Sequence, residues 1–552
     1  MNHLNFKDIS AHIILKALKD DSINVNIKRL AFNERSGLSV DRLSVRLNAS
    51  TQKAHIDDFI LQLPHSTVSI DSLSATYDSQ RFEETLSYEG SISNSFVSAY
   101  ELACFIPSLK NRNETVHFLS NFSGTATSID VPLLNVWEPQ RGVSLQANGW
   151  VKNLNGQQPV WHAEIDNLTL HNEALSILQN SIEGMPEQLS RIGDMHLTGN
   201  FDGHHNGDIT TDSRLQTDVG NVDVYFGLSS NKSFTGHIDT DGIDLKQLLN
   251  NEAFGLFATT IDISGDLSLL NAKGRISQLD YNDYQYHDIE LDGHYQKGHV
   301  AGKLKIDDPN IQTDIEGELL RMNKTETLRL TGNIRKLSPQ KLNLSDKWGN
   351  ATFSAIVDAD ITASSLNDAE GTIDLDDFVM TDTLGSFHLD NLHLKSGYDE
   401  DVHYLKLSGD MGEAEITGQF DWSTLPLSFI SYVASKLPTL PGLPVTDKAP
   451  TNNFAISLSL NSTEWLHRIF DIPFTLNKPL HLQGSINDLT HDINIDGHIP
   501  SFTYGETLYR DGSINITSPA DTMLCNVRLT KMSENGQQMD LQLTTNASEN
   551  NL

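Results

Sequence analysis

Apolar and polar residues alternate with a period of two along most of the chain, and this pattern constrains the fold more than any other feature. Successive side chains of a β-strand point to opposite faces of a sheet, so the alternation predicts strands with one apolar and one polar face. Segments with a helical period between strands are few, which disfavours parallel βαβ units. We therefore predict a mostly β, antiparallel fold. Clear examples of the alternation lie at residues 43–47, 221–226, 328–331, 456–460 and 541–543.

Turn dipeptides separate many of these strands. Both central residues of a type I′ turn need positive φ, which Asn, Asp and Gly tolerate, so each such pair predicts a tight hairpin turn. Together with the alternation, they predict an elongated array of antiparallel β-hairpin repeats. Asn-Gly occurs at 155–156 and 206–207, and Asp-Gly at 202–203, 241–242, 292–293, 496–497 and 511–512.

A three-residue apolar signature recurs, in which the second member follows the first by three positions and the third follows by two more. The step of three places one extra residue in an alternating strand, which is the sequence pattern of a β-bulge. The six triplets are Ile27, Leu30 and Phe32; Ile56, Phe59 and Leu61; Ile165, Leu168 and Leu170; Ile276, Leu279 and Tyr281; Leu375, Phe378 and Met380; and Ile499, Phe502 and Tyr504.

Glycine inside a strand is the second recurring element. Such a glycine commonly marks a bend or a close approach of two backbones. The irregular spacing of both elements disfavours a tight solenoid, although the unit is clearly reused. The glycines are Gly199, Gly236, Gly265, Gly332, Gly409, Gly418 and Gly484.

Short helical segments interrupt the strands. In the segment 427–437, the residues Leu427, Ile430, Val433, Ala434 and Leu437 share one helical face. We interpret this helix as a cap on an open sheet edge, and an interfacial helix in contact with lipid is the alternative. Helices are predicted near 100–110, 174–192, 245–251, 427–437 and 464–470. The predicted regions are N-terminal β-repeats (1–97), a helical insert (98–111), a central β-repeat array (112–424), helical inserts with a Pro-rich linker (425–470) and C-terminal β-repeats (471–552).

The charge of the chain excludes whole classes of partner. There are 39 Lys+Arg against 73 Asp+Glu, which gives a formal net charge of −34 without any basic cluster. Binding to nucleic acid and electrostatic docking on an anionic membrane both need such clusters, so neither is expected. The two cysteines, Cys104 and Cys525, cannot form a disulfide framework. No predominantly apolar stretch reaches the length of about 18 residues that a membrane-spanning helix needs.

Motifs that provide catalytic chemistry are absent. The sequence has no HExxH, GxSxG or GxxxxGK[ST] motif and no GxGxxG after a strand. His204, His205 and Asp208 are metal-ligating residue types, but turn residues surround them, which favours a polar hairpin tip. We expect no enzyme activity, no cofactor and no metal site.

The function is then expected to depend on the apolar face that the alternation predicts. A soluble chain does not tolerate an exposed apolar surface of that size. Three folds hide it: tandem β-sandwiches, a closed β-helix, or a sheet curled into a trough whose apolar lining holds ligand tails. The alternation alone does not distinguish among them.

Several segments resemble, in their order, the middle region of TamB-type proteins (translocation and assembly module) of the AsmA-like superfamily. The resemblance implies a bridge-like lipid-transfer fold, in which an elongated β-sheet is curled into a trough (β-taco-like) with an apolar groove and short helical inserts. The segments are 30–38 (LAFNERSGL), 98–110 (SAYELACFIPSLK), 243–249 (IDLKQLL), 261–265 (IDISG), and 337–344 (LSPQKLNL) with the strands that follow it up to Met380.

The resemblance implies a non-enzymatic cell-envelope protein of Gram-negative bacteria. Its family is linked to a phospholipid conduit across the periplasm and to outer-membrane protein translocation and assembly with an Omp85-type partner. The implied location is the periplasm in association with the inner membrane, through an attachment segment that is missing from this chain, as is the family's C-terminal domain. On this interpretation the six triplets line the groove and bind phospholipid acyl chains.

Two other classes of protein are alternatives. A β-sandwich array that acts in surface adhesion or binding predicts linkers and a domain period of about 100 residues, and neither is clear in the sequence. A polysaccharide-processing β-helix enzyme needs carboxylates in register on adjacent coils, and the acidic residues show no such register. We therefore favour the groove.

Overall fold

The computed structural model describes residues 6–19, 21–34, 38–102, 114–140, 142–156, 158–181, 187–425, 427–436, 450–519, 522–533 and 536–548. Its contacts divide the chain into two compact units, Met1–Gln285 (unit 1) and Tyr286–Leu552 (unit 2). Strands predominate in both units, and every strand pair is antiparallel. The prediction of a mostly β, antiparallel fold is confirmed.

Unit 1 is a meander in which each strand pairs with the next one along the chain. Its strands are β1 (Phe6–Lys19), β2 (Ser22–Glu34), β3 (Ser39–Ser50), β4 (Lys53–Gln62), β5 (Thr67–Thr76), β6 (Ser87–Ser98), β7 (Thr115–Thr125), β8 (Ser128–Glu138), β9 (Val143–Lys152), β10 (Val160–Leu170), β11 (Met195–His204), β12 (Ile209–Thr217), β13 (Gly220–Leu228), β14 (Phe234–Asp244), β15 (Phe254–Gly265) and β16 (Leu269–Tyr281). Its helices are α1 (Phe82–Thr85), α2 (Ala99–Leu102), α3 (Asn172–Ser181), the 3₁₀ helix Glu187–Arg191 and α4 (Leu245–Leu249).

Unit 2 is also a meander, with one irregularity, because β26 pairs with β28 and the short β27 pairs with the far half of β29. Its strands are β17 (Tyr284–Gln296), β18 (His299–Asp308), β19 (Ile311–Met322), β20 (Thr325–Leu337), β21 (Thr352–Ala363), β22 (Glu370–Asp382), β23 (Gly385–Asp399), β24 (Val402–Gly409), β25 (Gly412–Gln419), β26 (Asn453–Leu460), β27 (Phe474–Leu476), β28 (Leu480–Asn487), β29 (Asp492–Tyr504), β30 (Thr507–Thr517), β31 (Met523–Met532) and β32 (Gln538–Ala547). Its helices are the 3₁₀ helix Leu366–Asp368, α5 (Leu427–Lys436) and α6 (Glu464–Phe470).

Both sheets are open. Within the described residues, β1 pairs only with β2, and β32 pairs only with β31. Consecutive pairing also leaves each unit with a single sheet, so neither unit is a sandwich of two sheets. The hairpin array with short helical inserts is therefore confirmed, and an open sheet fits the predicted trough.

The β-bulges predicted from the triplets are present in five of the six. The pairing register shifts between Ile27 and Leu30 and between Ile165 and Leu168. The register also shifts where β3, β15 and β21 face residues 56–59, 276–279 and 375–378 of the neighbouring strands. Two of the extra residues, Asp58 and Asp377, have φ of 52° and 50°, which aspartate tolerates better than most residues. The sixth triplet, at 499–504, pairs with β30 without a register shift. The bulge predicted there is therefore absent from the pairing of β29 with β30, and that prediction is wrong.

The five bulges lie in the second half of the even-numbered strands β2, β4, β10, β16 and β22. Alternate strands of a meander run in the same direction, so within a unit these bulges lie along the same margin of the sheet. A bulge bends its strand and increases the local twist. The triplets therefore mark a margin at which the sheet bends.

The five Asp-Gly pairs do not form hairpin turns, and this part of the prediction is wrong. All five lie inside strands, namely β11, β14, β17, β29 and β30. At Gly203 and Gly497 an added Cβ would lie 2.2 Å from Trp161 Cε2 and 2.8 Å from Ile514 Cγ2 of the facing strand. The glycines at these two positions therefore make room for a large cross-strand side chain. The two Asn-Gly pairs lie in turns as predicted.

Most of the recurrent glycines allow close approach of a facing backbone, as predicted. An added Cβ would lie between 1.9 and 2.6 Å from a backbone carbonyl oxygen at Gly199, Gly265, Gly409, Gly418 and Gly484. Two glycines differ. At Gly236 the nearest atom to an added Cβ is the side-chain atom Ile263 Cγ1 at 2.9 Å, and at Gly332 the nearest neighbour, Ile315 Cγ1, is 3.6 Å away.

The helices occur where they were predicted, with additions. The segments 174–192, 245–251, 427–437 and 464–470 contain α3 with its 3₁₀ helix, α4, α5 and α6. The segment 100–110 begins with α2, and the rest of it lies outside the described residues, as does the Pro-rich linker at 437–449. The region 425–470 is not wholly helical, because β26 lies inside it and completes the pairing with β25. Helix α1 and the 3₁₀ helix Leu366–Asp368 were not predicted.

A buried ion pair attaches α6 to the turn between β22 and β23. The Arg468 guanidinium donates from Nη2 to Asp382 Oδ1 at 2.9 Å and from Nε to Oδ2 at 3.2 Å, and Nη2 also donates to the Gly385 carbonyl at 2.7 Å. The side chains of Arg468 and Asp382 are only 6% and 16% exposed. This bidentate contact holds Trp465 and Ile469 of α6 against the adjacent packed cluster.

Replacement of Gly418 by alanine should destabilise unit 2 much more than the same change at Gly332. Gly418 has φ of +141° and a facing carbonyl 2.2 Å from the site of an added Cβ, so Gly418→Ala should lower the free energy of unfolding by about 1–3 kcal/mol. Gly332→Ala should change it by about 1 kcal/mol or less. Denaturant unfolding of both variants measures the difference, and equal effects would contradict it.

Replacement of Arg468 by methionine should leave the carboxylate of Asp382, which is nearly buried, without its cation. We expect a loss of about 3–5 kcal/mol in unfolding free energy, and partial recovery in Arg468→Met/Asp382→Asn, which removes both charges. Thermal unfolding with hydrogen exchange at α6 tests this. A single variant as stable as wild type would show that the ion pair does not hold the helix.

Candidate functional site: an apolar sheet face

The cross-strand registers collect the apolar residues of unit 2 on one face, defined here as the apolar face. One row of directly paired residues, the central row, crosses the unit from β17 to β32 and contains only apolar residues and glycine. Its members, in order, are Gly293, Gly302, Gly317, Leu330, Ala359, Ile373, Leu394, Leu407, Ala414, Leu458, Leu482, Gly497, Ile514, Val527 and Leu543.

Unit 1 has an equivalent row on its own apolar face. Glycines in this row stand beside large side chains: an added Cβ would lie 2.6 Å from Phe122 Cζ at Gly90 and 2.9 Å from Ile263 Cγ1 at Gly236. The rings and branched side chains thus extend over their glycine neighbours. The row contains Leu15, Val25, Leu47, Ile56, Leu73 and Gly90, and, farther along, Gly149, Ala163, Phe201, Thr211, Phe226, Gly236, Ile263 and Ala272.

The opposite face of each sheet, the polar face, carries pairs of ionisable side chains. His162–Asp202 and His237–Asp262 in unit 1 are separated by 2.8 and 2.7 Å. In unit 2, Lys303–Glu316 and Lys406–Glu415 are both 2.9 Å apart. Each pair joins directly opposed residues on neighbouring strands. Exposed pairs of this kind add little stability, but they make the polar face unsuitable for packing against another apolar layer.

The apolar face lacks a complete cover. In the central row of unit 2, Ala359 and Gly497 are buried, Leu543 is exposed, and the other members are half-buried. The accessible area of the chain is 32532 Å². A compact protein of 61.3 kDa would expose about 20,000 Å², and two separate compact bodies of half that mass about 24,000 Å². The chain therefore exposes more surface than closed, compact bodies of this mass would, and the half-buried central row is part of that surface.

Helices cover the margins of the apolar faces and leave the central rows largely open. In unit 1, α3 packs Ala174 and Leu175 against Leu170, Ile192 and Val219. In unit 2, α6 packs beside Met380, Phe387 and Met411. Helix α5 packs Tyr432 against Phe454, Ile486, Ile493 and Ile516.

The interpretation of α5 as a cap agrees with this packing, although its apolar stripe is not its most buried face. Ser428, Tyr432 and Lys436 are the buried side chains. Of the residues predicted to form the apolar stripe, Leu427, Ile430, Val433 and Ala434 are only half-buried, and Leu437 lies outside the described residues. The Ser428 hydroxyl donates to Asp488 Oδ2 at 2.8 Å and so orients the helix by a polar contact that helical periodicity does not reveal.

The eighteen triplet residues are spread over the two units, and most are half-buried. Leu170 and Met380 are only 8% and 2% exposed and belong to the packed clusters, so they form core rather than lining. Tyr281 and Tyr504 are 38% and 55% exposed. The triplets of β2 and β4 come together through β3, where Leu43 pairs with both Leu30 and Leu61.

A concave pocket of about 700 Å³ lies on the apolar face of unit 2, and we call it the groove. Its floor consists of Ile373 and Leu394 from the central row together with Ile361 and Leu405 from the next row. Trp422 and Leu366 also line it, and Lys324, Glu326 and Glu370 contribute charged groups. This volume is typical of a small-molecule site. None of the triplet residues lines the groove, and sequence reasoning missed it.

A serine–histidine contact beside the groove has the spacing of a nucleophile and its base, but not the hydrogen bonding. Ser396 lines the groove, and its Oγ lies 2.9 Å from His403 Nε2. The same hydroxyl donates its single proton to the Ala369 carbonyl at 2.6 Å. The Nε2 atom of His403 must therefore donate to Ser396 Oγ, and a histidine in that tautomer does not activate the serine.

Burial lowers the pKa of His403. Its ring is stacked between Tyr398 and Phe420, with centroid separations of 4.7 and 4.8 Å. Removal from water disfavours the imidazolium, and this effect exceeds the opposite influence of the Glu370 and Asp368 carboxylates. His403 thus presents a neutral ring next to the apolar groove.

A capping box lies at the edge of the groove. The Asp368 carboxylate accepts hydrogen bonds from the Ser364 and Ser365 hydroxyls, at 2.8 Å for Ser365, and these bonds lower the pKa of Asp368 to about 2. The box orders the 3₁₀ helix that carries Leu366. Asn367 in the same helix accepts from the Trp422 backbone N–H at 3.0 Å and so connects the two sides of the groove.

The hairpin tip predicted at His204, His205 and Asp208 is present. Asp208 accepts a side-chain hydrogen bond from Asn206 and a backbone hydrogen bond from Ser230, and both lower its pKa. Across the described ranges, no group of three His, Cys, Asp or Glu side chains is arranged to hold a metal ion.

Comparison with known proteins gives no family assignment: no family model, curated protein or solved structure matches the chain. The resemblance to TamB-type proteins therefore depends on the sequence segments alone. None of the helices in the described part of the chain has the length and apolar character needed to cross a bilayer.

Acidification should destabilise unit 2 through His403. Because the pKa of His403 is lower in the folded state, the unfolded state binds the proton more readily. The free energy of unfolding therefore falls as the pH drops from about 6.5, the pKa of histidine in the unfolded chain, toward the lower pKa of His403 in the folded chain. His403→Phe should keep the ring stack and reduce this pH dependence. Denaturant unfolding at pH 7.5 and pH 5.5 measures the change, and an identical pH dependence in the variant would contradict it.

Proposed function

We propose that this chain is a non-enzymatic lipid-binding protein of the cell envelope that holds phospholipid acyl chains along its apolar sheet faces. In the role that the TamB-type resemblance implies, it forms part of a phospholipid conduit across the periplasm or a scaffold for outer-membrane protein assembly with an Omp85-type partner. The observations that support this most are the continuous apolar row of unit 2 and the two largely apolar stretches of the row in unit 1, which are half-open to solvent and have no second sheet over them in the described part of the chain.

Acyl chains suit this surface because burial of methylene groups needs no directional contact. Each buried CH₂ contributes about 0.8 kcal/mol, so a surface of side chains with no hydrogen-bonding requirement can hold a tail firmly. Where a ring or branched side chain extends over a neighbouring glycine, as at Gly90 and Gly236, the row has fewer gaps between strands. A tail that moves from one strand to the next then exchanges one set of apolar contacts for a similar set.

The fold does not favour the adhesion alternative. Tandem sandwiches bury their inner faces between two sheets, whereas each unit here has one sheet with a half-buried central row. Dry, closed cores would also leave less accessible area than the 32532 Å² of this chain.

Lipid content tests the proposal directly. Purification of the chain from a bacterial host without detergent, followed by solvent extraction and mass spectrometry, should recover phospholipid. Val25→Asp and Leu458→Asp place a carboxylate on the apolar face of units 1 and 2 and should reduce the lipid recovered per chain at least severalfold, because a charge there opposes tail burial.

Matched controls lie one residue away on the same strands. Asn26→Asp and Ser457→Asp add the same charge to the polar face and should retain wild-type lipid content. Circular dichroism establishes that all four variants are folded. Folded wild-type protein without bound lipid, or equal losses in variants of both faces, would exclude the acyl-binding face.

A further inference from the structure

Two charged side chains at the groove have no ion-pair partner among the described residues, and they have opposite signs. Lys324 and Glu370 both line the groove and are exposed. Neither forms an ion pair or side-chain hydrogen bond with the described residues. The third charged lining residue differs, because Glu326 accepts a hydrogen bond from Arg321 Nε at 2.7 Å. As far as the described residues show, the groove therefore offers one unpaired cation and one unpaired anion beside an apolar floor.

We propose that the groove binds a single zwitterionic phospholipid, with its phosphate at Lys324, its ammonium group at Glu370 and one acyl chain on the floor formed by Ile361, Ile373, Leu394 and Leu405. This inference depends on the proposed function and adds headgroup selectivity to it. An ammonium–phosphate headgroup matches the two free charges, whereas a purely anionic headgroup satisfies Lys324 and leaves Glu370 unpaired.

The dimensions and the charge of the chain are consistent with this ligand. The volume of about 700 Å³ lies within the range of roughly 300–1,000 Å³ found for sites that enclose one small molecule. The net charge of −34 disfavours anionic lipids in general. A site that selects a lipid without net charge therefore fits both the local and the overall electrostatics.

Trp422 provides a local signal for occupancy, because its indole lines the groove. The probe is a lysophosphatidylethanolamine with a brominated acyl chain, which quenches tryptophan at contact. Trp422→Phe identifies the part of the quenching that arises at the groove, since the chain contains five other tryptophans. The comparison ligand is lysophosphatidylglycerol with the same brominated chain and an anionic headgroup.

The expected result is a difference between the two headgroups that depends on Glu370. Wild-type chain should bind the ethanolamine lipid about tenfold more tightly than the glycerol lipid, as one charge-assisted contact implies. Glu370→Gln should remove this preference, whereas Lys324→Ala should weaken binding of both lipids about tenfold. Glu413→Gln, which alters an unpaired exposed carboxylate on the polar face, should leave both affinities unchanged.

A bulky substitution tests the floor independently of charge. Ala363→Leu fills the groove at a half-buried lining position without adding a fluorophore and should abolish Trp422-dependent quenching, while Ala455→Leu on the polar face of β26 should not. Equal affinity of wild type for both headgroups, or quenching that persists in Ala363→Leu, overturns the inference. If phospholipid co-purifies but Trp422 is not quenched, the groove assignment fails and the proposed function stands. If neither occurs, both fail.

Discussion

The structure depends on a sheet face that is apolar over many strands and is not matched by a second layer. In a globular domain, burial of such a face supplies most of the stability, and the remaining polar groups form the surface. Here each unit has a single open sheet, and in the described part of the chain only its margins are packed under helices. Contacts along and between neighbouring strands therefore provide most of the ordered structure, and the exposed apolar rows are available for a ligand.

Local features of the sequence predict local features of the structure well. The period-two alternation at 43–47 and 456–460 falls in β3 and β26, and the step of three in the triplets corresponds to register shifts in five strands. These predictions succeed because the alternation and the extra residue of a bulge both lie within one strand. The helix at 464–470 is equally local, and its bounds agree with the prediction.

Features that depend on cross-strand register could not be predicted. Asp-Gly pairs indicated turns, yet at Gly203 the glycine accommodates Trp161 from the neighbouring strand. The groove requires Ile373 and Leu394 to be directly opposed and Ile361 to lie beside them, and no spacing within a single strand shows this. The most buried face of α5 could not be predicted for the same reason, because its partners Phe454 and Ile516 come from distant strands.

The consecutive pairing of strands also affects how such a protein can change in length. Among the described residues, every strand in unit 1 pairs only with its neighbours in sequence, so the interactions within the unit are arranged nearly in one dimension, as in repeat proteins. Duplication or deletion of one hairpin would preserve the registers on either side and change the width of the sheet by about 10 Å, the spacing of two strands. Evolution can therefore adjust the span of the apolar surface in small increments without redesigning a core.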